Sequence, residues 1–466
     1  MSCARSLCGL LWVAVAAACS DGTGPAPVAT VTGVSPDHGP LTGGTVVRIS
    51  GTNFLTTIDS VRVGSGRLKG LVWMSSTSLR GTTPTSGATG AVDVTVYTTG
   101  SGSSTCTSCF TYTLPVTWIS LTAGGNHTCG LASGGAAYCW GRNFGALGDG
   151  DWTWARSAPV AVAGGLAFAS LTAGDGHSCG LTSGGTAYCW GNNLYGQVGR
   201  GDTLVAFTPV AVAGGLTFAN VTADYDHTCG VTTNGAAYCW GLNALGRLGD
   251  GTTTSRTTPA AVAGGLAFAS LAAGGLHTCG LTSGGAAYCW GYNGYGQLGL
   301  ADTVSRATPM AVAGGIAFAS LAAGGLHTCG LTSGGVAYCW GYNGAGGLGD
   351  GSTADRSTPV AVGGGFTFAG LFAGEHHTCG LTSSGVAYCW GWNGSGQIGF
   401  PPDGTPRTTP VPVAGGLRFA SLAPGGMHTC GLATGGAAYC WGYNAFGQLG
   451  DGSTNERYGP VVVVDP

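Results

Sequence analysis

A motif of about fifty residues recurs seven times between residue 115 and the end of this 466-residue chain, and it restricts the possible folds more than any other feature. Each copy contains His-Ser/Thr-Cys-Gly and, ten residues after its cysteine, a second cysteine within Tyr-Cys-Trp-Gly. The first cysteines stand at 129, 179, 229, 279, 329, 379 and 430, so a single insertion interrupts the spacing, near Pro401. This regularity predicts one structural unit per copy, with each unit packed against its neighbours.

Each copy contains four short apolar segments, which in one copy cover residues 268–271, 277–281, 286–290 and 309–312. Gly-rich turns separate them, and they are too short and too closely spaced for helices. Glycine supplies 92 residues and charged residues only 8%, which also disfavours helices. Four strands per copy, seven times over, predict an all-β fold with a seven-bladed β-propeller of four-stranded blades over residues 114–466.

The repeat resembles that of the RCC1 (regulator of chromosome condensation) family. The matching residues are Trp-Gly-Tyr-Asn at 290–293 and Gly-Gln-Leu-Gly at 296–299, although some copies depart from the loop pattern, for instance with Arg247 and Gly347 in place of the glutamine. The resemblance implies a propeller that binds proteins on one face. Family members include a guanine-nucleotide exchange factor for a nuclear small GTPase and a secreted bacterial β-lactamase inhibitor.

The two ends of the array suggest how the ring closes. It begins with residues 118–121, which are equivalent to 268–271, and it ends with the apolar segment 460–463. We expect the last strand to complete the first blade, which would leave no open sheet edge between the chain ends.

Residues 28–113 form a different body. Alternating segments such as 46–49 and 92–96, separated by Gly, Ser and Thr turns, predict a small β-sandwich. The stretch from Val34 to Phe54, with Ser-Pro, Gly-Pro and Gly-Gly-Thr, resembles the start of an IPT/TIG domain, which has an immunoglobulin-like fold. In bacterial surface proteins such a domain implies a spacer.

The first residues predict export. Residues 1–18 read as a signal peptide, with Arg5 followed by an apolar run, and residues 19–27 as a tether. The run that ends at Cys19 resembles a bacterial lipoprotein signal, which implies that Cys19 is lipidated and anchors the chain in the cell envelope. Ordinary cleavage after the three alanines before Cys19, giving a secreted protein, is the alternative.

The paired cysteines of each copy flank a tight turn, so a hairpin places them directly opposite each other, within reach of a disulfide. A local bridge is also expected for the Cys-x-x-Cys at 106 and 109, and zinc binding by cysteine and histidine is the weaker alternative. The predicted pairs are Cys106–Cys109, Cys129–Cys139, Cys179–Cys189, Cys229–Cys239, Cys279–Cys289, Cys329–Cys339, Cys379–Cys389 and Cys430–Cys440.

Residues that recur in all seven copies are expected to build the blade. His277 and its equivalents should bond to backbone within their own blade, because each faces a glycine across the hairpin. Trp290 and its equivalents should pack between blades. An arginine that precedes the fourth strand in six copies, such as Arg306, should brace the long loop.

Residues that differ between copies cluster on one face. The chain reverses at each turn, so the turn before His277 and the long loop after Asn293 share a side, which we call the loop face. This face is the predicted partner-binding surface, unless its residues only cover a solvated face. The residues assigned to it are Arg142, Trp152, Trp154, Tyr195, Asp224, Tyr225, Asp226, Tyr292, Tyr295, Tyr342, Glu375, His376, Trp392 and Phe446.

Composition excludes several functions. A formal net charge of −3 and a single lysine, Lys69, do not suit nucleic-acid binding. With two glutamates, Glu375 and Glu456, and histidines that recur for structure, no catalytic set can be assembled. We therefore expect a monomeric, non-enzymatic envelope protein, without cofactor or metal, that binds an unknown protein. Glycan binding is the alternative; nucleotide exchange and hydrolysis rank behind both.

Overall fold

The computed structural model describes residues 28–54, 58–99 and 102–466. The predicted signal peptide and tether, with Cys19, lie outside these residues. The chain divides into two compact units that meet between Leu114 and Pro115. No helix in the described part of the chain has the length and apolar character needed to cross a membrane.

The N-terminal unit is a sandwich of two sheets, with strand orders β1-β3-β7-β6 and β2-β9-β8-β4-β5. In β3 the buried side chains of Val47 and Ile49 alternate with exposed neighbours, as in a strand with one face in the core. The strands are β1 (Thr30–Ser35), β2 (His38–Pro40), β3 (Val46–Thr52), β4 (Ile58–Val63), β5 (Gly66–Arg67), β6 (Lys69–Ser75), β7 (Ser78–Thr82), β8 (Gly90–Thr98) and β9 (Gly102–Thr113).

The C-terminal unit consists of seven four-stranded antiparallel sheets, the blades, each built from consecutive strands. Blades 1 to 3 contain β10 (Trp118–Ala123), β11 (His127–Ala132), β12 (Ala137–Arg142) and β13 (Ala155–Ala161); β14 (Ser170–Ala173), β15 (His177–Leu181), β16 (Ala187–Gly191) and β17 (Ala206–Ala211); and β18 (Phe218–Asp224), β19 (His227–Thr232), β20 (Ala237–Gly241) and β21 (Arg256–Ala261).

Blades 4 to 7 repeat this plan, and a 3-10 turn at Ala244–Gly246 precedes β21. Their strands are β22 (Ser270–Ala273), β23 (His277–Leu281), β24 (Ala287–Gly291) and β25 (Arg306–Ala311); β26 (Ser320–Ala323), β27 (His327–Leu331), β28 (Ala337–Gly341) and β29 (Arg356–Ala361); β30 (Gly370–Ala373), β31 (His377–Leu381), β32 (Ala387–Gly391) and β33 (Arg407–Pro412); and β34 (Phe419–Pro424), β35 (His428–Ala433), β36 (Ala438–Gly442) and β37 (Arg457–Val462).

The first strand of each blade lies innermost and contacts the first strands of both neighbouring blades, and β34 contacts β10. These contacts close a ring. The predicted all-β class, a seven-bladed propeller preceded by an immunoglobulin-like sandwich, is therefore confirmed.

Each blade carries a disulfide between its second and third strands. Cys279 and Cys289 are direct partners in the ladder, with Cα atoms 4.1 Å apart, and the equivalent pairs in the other blades lie at 4.0–4.1 Å. The sulfur atoms are buried in the blade interior. In the sandwich, Cys106 and Cys109 are joined along β9, with Cα atoms 5.6 Å apart.

The expected exchange of a strand between the chain ends is wrong. Strand β37 pairs with β36 in blade 7, and blade 1 takes all four of its strands from residues 118–161. Seven complete units fit between residues 118 and 462, so neither end lacks a strand. Hydrogen bonds between blades 7 and 1 close the ring instead: Trp140 Nε1 donates to Gln448 O at 2.9 Å, Asp465 Oδ1 accepts from Val116 N at 2.9 Å, and Trp118 N donates to Gly436 O at 3.1 Å.

A glycine in each of six blades fits against the tryptophan of a neighbouring blade. Gly249 has φ +70°, and a Cβ atom there would lie 2.6 Å from Nε1 of the fully buried Trp290. We expect Gly249→Ala to lower the free energy of unfolding by about 2–4 kcal/mol, since it adds backbone strain and overpacks the blade interface. Urea unfolding measures the effect.

The matched control is Gly264→Ala. Gly264 has φ +94°, and a Cβ atom there would meet nothing within 4 Å. Backbone strain alone should therefore lower the free energy of unfolding, by about 1–2 kcal/mol. Equal losses for the two variants would contradict the interface role.

Candidate functional site

The long loops of the loop face are held by a buried asparagine at the end of the Trp-Gly-x-Asn motif. In blade 4, Asn293 Oδ1 accepts from Leu298 N at 2.9 Å, and its Nδ2 donates to Asp302 O at 3.0 Å. Arg306 donates to Asp302 at 2.7 Å. Five other blades have the same arginine–aspartate pair, which confirms the predicted bracing role. The loops are therefore a fixed framework for their variable side chains.

The recurring histidines join neighbouring blades. His277 Nε2 lies 2.7 Å from Oγ1 of Thr328 in the next blade, and the hydroxyl of Thr278 donates to Arg247 O at 2.9 Å. Because each hydroxyl has one hydrogen, which it gives to a carbonyl, His Nε2 must be the donor. The predicted backbone bond within the blade is wrong, since the ring reaches across the interface. Blade 7 continues the pattern, with His428 Nε2 2.8 Å from Thr128 Oγ1.

Burial keeps these imidazoles neutral. It lowers the pKa of His127 to about 4 and that of His277 to about 3, and it acts in the same direction on the other five. Within residues 28–54, 58–99 and 102–466, no cluster of three His, Cys, Asp or Glu side chains is arranged to hold a metal ion. The histidines therefore act as structural donors in this fold.

Four of the predicted loop-face residues form a continuous row. The ring centroids of Tyr292 and Tyr295 lie 6.0 Å apart, those of Tyr295 and Tyr342 5.1 Å, and those of Tyr342 and His376 6.3 Å. His376 Nε2 is 3.5 Å from Glu375 Oε1. This aromatic row, Tyr292, Tyr295, Tyr342 and His376, leads across blades 4 to 6 to Glu375 at the axis.

At the axis, Tyr225 of blade 3 donates its hydroxyl hydrogen to Glu375 of blade 6. The pair borders a cavity of about 170 Å³ at the ends of the innermost strands. Burial raises the pKa of Asp224 to about 7, and the charges of Glu375 and Asp175 act in the same direction. The centre of the loop face is thus closed by a hydrogen-bonded pair and is rich in carboxyl groups.

A second group lies between blades 7 and 1. The guanidinium carbon of Arg142 is 4.4 Å from the ring centroid of Phe144 and 5.3 Å from those of Trp154 and Phe446. We call these four residues the arginine cage. Arg142, Trp154 and Phe446 were predicted from sequence, and the structure brings them together.

The remaining predicted residues lie apart from both groups. Trp152 is 78% exposed and packs on Phe207, with ring centroids 4.1 Å apart. Tyr195 and Trp392 are more than 40% exposed, and Asp226 accepts from Gln197 Nε2 at 3.1 Å. The loop face therefore has an aromatic row, an axial carboxyl group cluster and an arginine cage, and Trp152, Tyr195 and Trp392 belong to none of them.

Sequence analysis missed Phe144, Asp175 and Arg247. Phe144 follows the loop asparagine at a position where the other copies have Leu, Ala or Gly, so comparing that column would have revealed it. Asp175 occupies a column that is otherwise mostly glycine. Arg247 was noted only as a departure from the repeat; it is buried and donates to Gly275 O at 3.0 Å.

Together, the blades and their variable face define a seven-bladed repeat propeller with a small sandwich domain before it. The model of the RCC1-like domain matches residues 86–371, and the chain belongs to that family. Models of the RCC1 repeat match residues 368–397, 421–448, 384–432 and 435–466. The IPT/TIG domain model matches residues 29–113.

Solved structures share the propeller fold. Human WBSCR16 is 20% identical, with a TM-score of 0.65 over 71% of this chain and 95% of its own. Prp20p from Saccharomyces cerevisiae, described with its binding to Gsp1p and histones, is 23% identical, with a TM-score of 0.63 over 74% of this chain and 87% of its own. Yeast RCC1 (Prp20) with Kap60 bound is 22% identical, with a TM-score of 0.63 over 70% and 83%.

Proposed function

We propose that this chain binds a protein partner through the loop face and catalyses no reaction. The aromatic row carries the proposal. Its rings are held by their neighbours on braced loops, so covering them with a partner costs little conformational entropy. Tyrosine is also enriched among residues that dominate binding energy at protein interfaces.

The relatives support the coarse class of function. The yeast structures concern a propeller that binds proteins, namely Kap60, Gsp1p and histones. At 22–23% identity these partners do not transfer to this chain. The acidic axis, with Asp224 and Glu375, favours a partner that presents donor groups to the centre of the face.

Two further proposals accompany the first. Glu375 is engaged by the hydroxyl of Tyr225, and the recurring histidines hold hydroxyls between blades, so neither group is free for acid–base catalysis. The disulfide in every blade suits an oxidising compartment, so we propose a monomer on the cell envelope, anchored through Cys19.

Site-directed photo-cross-linking tests partner binding. A benzoylphenylalanine at Tyr342 should capture a protein from extracts of the source cells, and the purified partner should then bind the full chain in calorimetry. We expect the variant with Tyr295→Ala and Tyr342→Ala to lower that affinity at least tenfold, because both rings would lie under the partner.

The matched control places the cross-linker at Ser283, an exposed residue of the hairpin turn on the opposite face. Equal capture at both positions, or full affinity in the double variant, would overturn the proposal. Binding of a purified oligosaccharide with the same loss in the double variant would instead establish glycan binding.

A further inference from the structure

Arg142 ends strand β12 and, unlike the arginines that brace the long loops, forms no ion pair with a carboxylate of the described residues. Arg256, Arg306 and Arg356 each form an ion pair with an aspartate of their own loop, at 2.7–2.8 Å. In the described part of the chain no ion pair within 4.0 Å and no hydrogen bond of the Arg142 side chain is present. Its Nε atom is buried and without an acceptor.

The aromatic rings of the arginine cage position this guanidinium without using its donors. The guanidinium carbon lies within 5.3 Å of the centroids of the Phe144, Trp154 and Phe446 rings, so cation–π contacts hold the charged group in place. The N–H groups of its two terminal nitrogens form a planar fork that matches a carboxylate. Packing thus restricts the guanidinium before any ligand arrives.

Arg142 lines a pocket of about 350 Å³ between blades 1 and 2. Phe144, Leu194 and Val205 supply apolar walls, and Leu194 is 66% exposed. Asp175 also lines the pocket, where the charge of Arg142 acts to lower its pKa although the two groups form no ion pair within 4.0 Å. The volume suits a single residue of a partner, and the walls require an apolar side chain beside the anionic group.

One chemical group combines these requirements. An apolar residue at the end of a polypeptide carries a carboxylate and a hydrocarbon side chain on the same Cα. An internal aspartate or glutamate has only one or two methylene groups beside its carboxylate, and a phosphate brings more negative charge close to Asp175 and the axial carboxyl groups. Its carboxylate can lie at the guanidinium of Arg142 while its side chain packs against Leu194 and Val205, so one residue fills both the charged and the apolar part of the pocket.

We propose that the Arg142 pocket binds the C-terminal apolar residue of the partner polypeptide, with its carboxylate on the guanidinium. The proposal rests on the proposed function, because it specifies the partner of the same loop face. It assigns the arginine cage to recognition of the chain end and the aromatic row to the body of the partner.

A matched pair of labelled peptides tests the assignment. Fluorescein-Gly-Ser-Gly-Leu is prepared with a free carboxylate and as the C-terminal amide, and fluorescence anisotropy with the full chain gives both affinities. We expect the amide to bind at least tenfold more weakly, since it has lost the charge-assisted bonds. Arg142→Gln should reduce the affinity for the acid to that for the amide, and Arg142→Lys should retain part of the difference.

Arg418→Gln is the control, because Arg418 is an exposed propeller arginine that does not line the pocket. Equal binding of acid and amide, no binding of either at millimolar concentration, or an Arg142→Gln variant that folds and binds like the parent would each overturn the proposal. Competition by inorganic phosphate as strong as by acetyl-leucine would also overturn it, since the pocket would then accept any anion.

The experiments distinguish failure of the proposed protein binding from failure of the proposed Arg142 pocket. The Tyr295→Ala and Tyr342→Ala variant should keep the acid–amide difference for the short peptides, because neither tyrosine lines the pocket. Partner capture at Tyr342 without peptide discrimination would leave the proposed function standing and reject the pocket. If the chain distinguishes the acid peptide from the amide but no protein is captured at Tyr342, the pocket stands and the proposed function is rejected.

Discussion

Lowering the pH from 7 to 5 should unfold the propeller, although its disulfides remain intact. The seven blade histidines are buried with their pKa values lowered, to about 3 in His277 and to about 4 in His127. The pKa of an unfolded histidine is about 6.5. Each therefore contributes its full stabilisation above pH 6.5, and this is lost as the pH falls toward the folded pKa.

The expected effect is large because the seven groups act together. Each costs about 1.4 kcal/mol per pH unit below 6.5, so the ring loses on the order of 10 kcal/mol by pH 5, comparable with the whole stability of a typical protein. Asp175, Asp224 and Asp226 have raised pKa values, so they favour the folded state as the pH falls, but these three groups are fewer than the seven histidines. Calorimetry from pH 7.5 to 4.5 should show a steep fall in Tm.

Variants at single histidines identify the groups responsible. His277→Gln keeps a donor toward Thr328 and should reduce the proton uptake on acid unfolding by one. His38→Gln, in the N-terminal sandwich, should leave the propeller transition unchanged. A Tm that stays constant between pH 7 and 4.5 would contradict the neutral histidine ring.

Complete reduction of the blade disulfides should also unfold the propeller at 37 °C. Each bridge closes a loop of about eleven residues, and the loop-entropy model gives it roughly 3 kcal/mol. Seven such contributions need not add, yet they exceed the stability of most domains. Because the sulfurs are buried, dithiothreitol should act slowly on the folded protein and rapidly once urea opens the blades.

Removal of one bridge gives the effect per blade. The variant with Cys279→Ala and Cys289→Ala should lower the free energy of unfolding by about 2–4 kcal/mol in urea titrations. The control replaces Cys106 and Cys109 by serine, which changes only the sandwich and should leave the propeller transition where it is. A reduced chain that keeps its parent Tm would show that packing alone stabilises the blades.

The sequence was sufficient to predict what repeats within a blade. Strand number, the register that places Cys279 opposite Cys289, and the sidedness of the loops all follow from local spacing and turn chemistry. The arginine braces were predicted for the same reason, since Arg306 and Asp302 belong to one loop.

Of the contacts between blades, the packing of Trp290 and its equivalents was predicted, but the hydrogen bonds were not. The histidine bonds join residues about fifty positions apart, and the Tyr225–Glu375 bond joins residues 150 apart. Both depend on the angle between neighbouring blades, which the spacing of a repeat does not give. The prediction that the last strand joins the first blade was wrong for a related reason. Segment 460–463 is equivalent to the fourth strand of every copy, so its sequence does not indicate which blade it joins.

The histidine and tryptophan hydrogen bonds that join blades 7 and 1 recur at other blade boundaries. The boundary between blades 7 and 1 uses the same histidine–threonine and tryptophan–carbonyl bonds as an internal boundary such as that between blades 3 and 4. The junction of the chain ends therefore resembles other boundaries in these bonds and differs from them in the added bond from Val116 N to Asp465 Oδ1. Because the histidine, threonine and tryptophan side chains of these bonds lie in the strands, the loop residues can differ from blade to blade while every boundary keeps its bond from histidine to a hydroxyl.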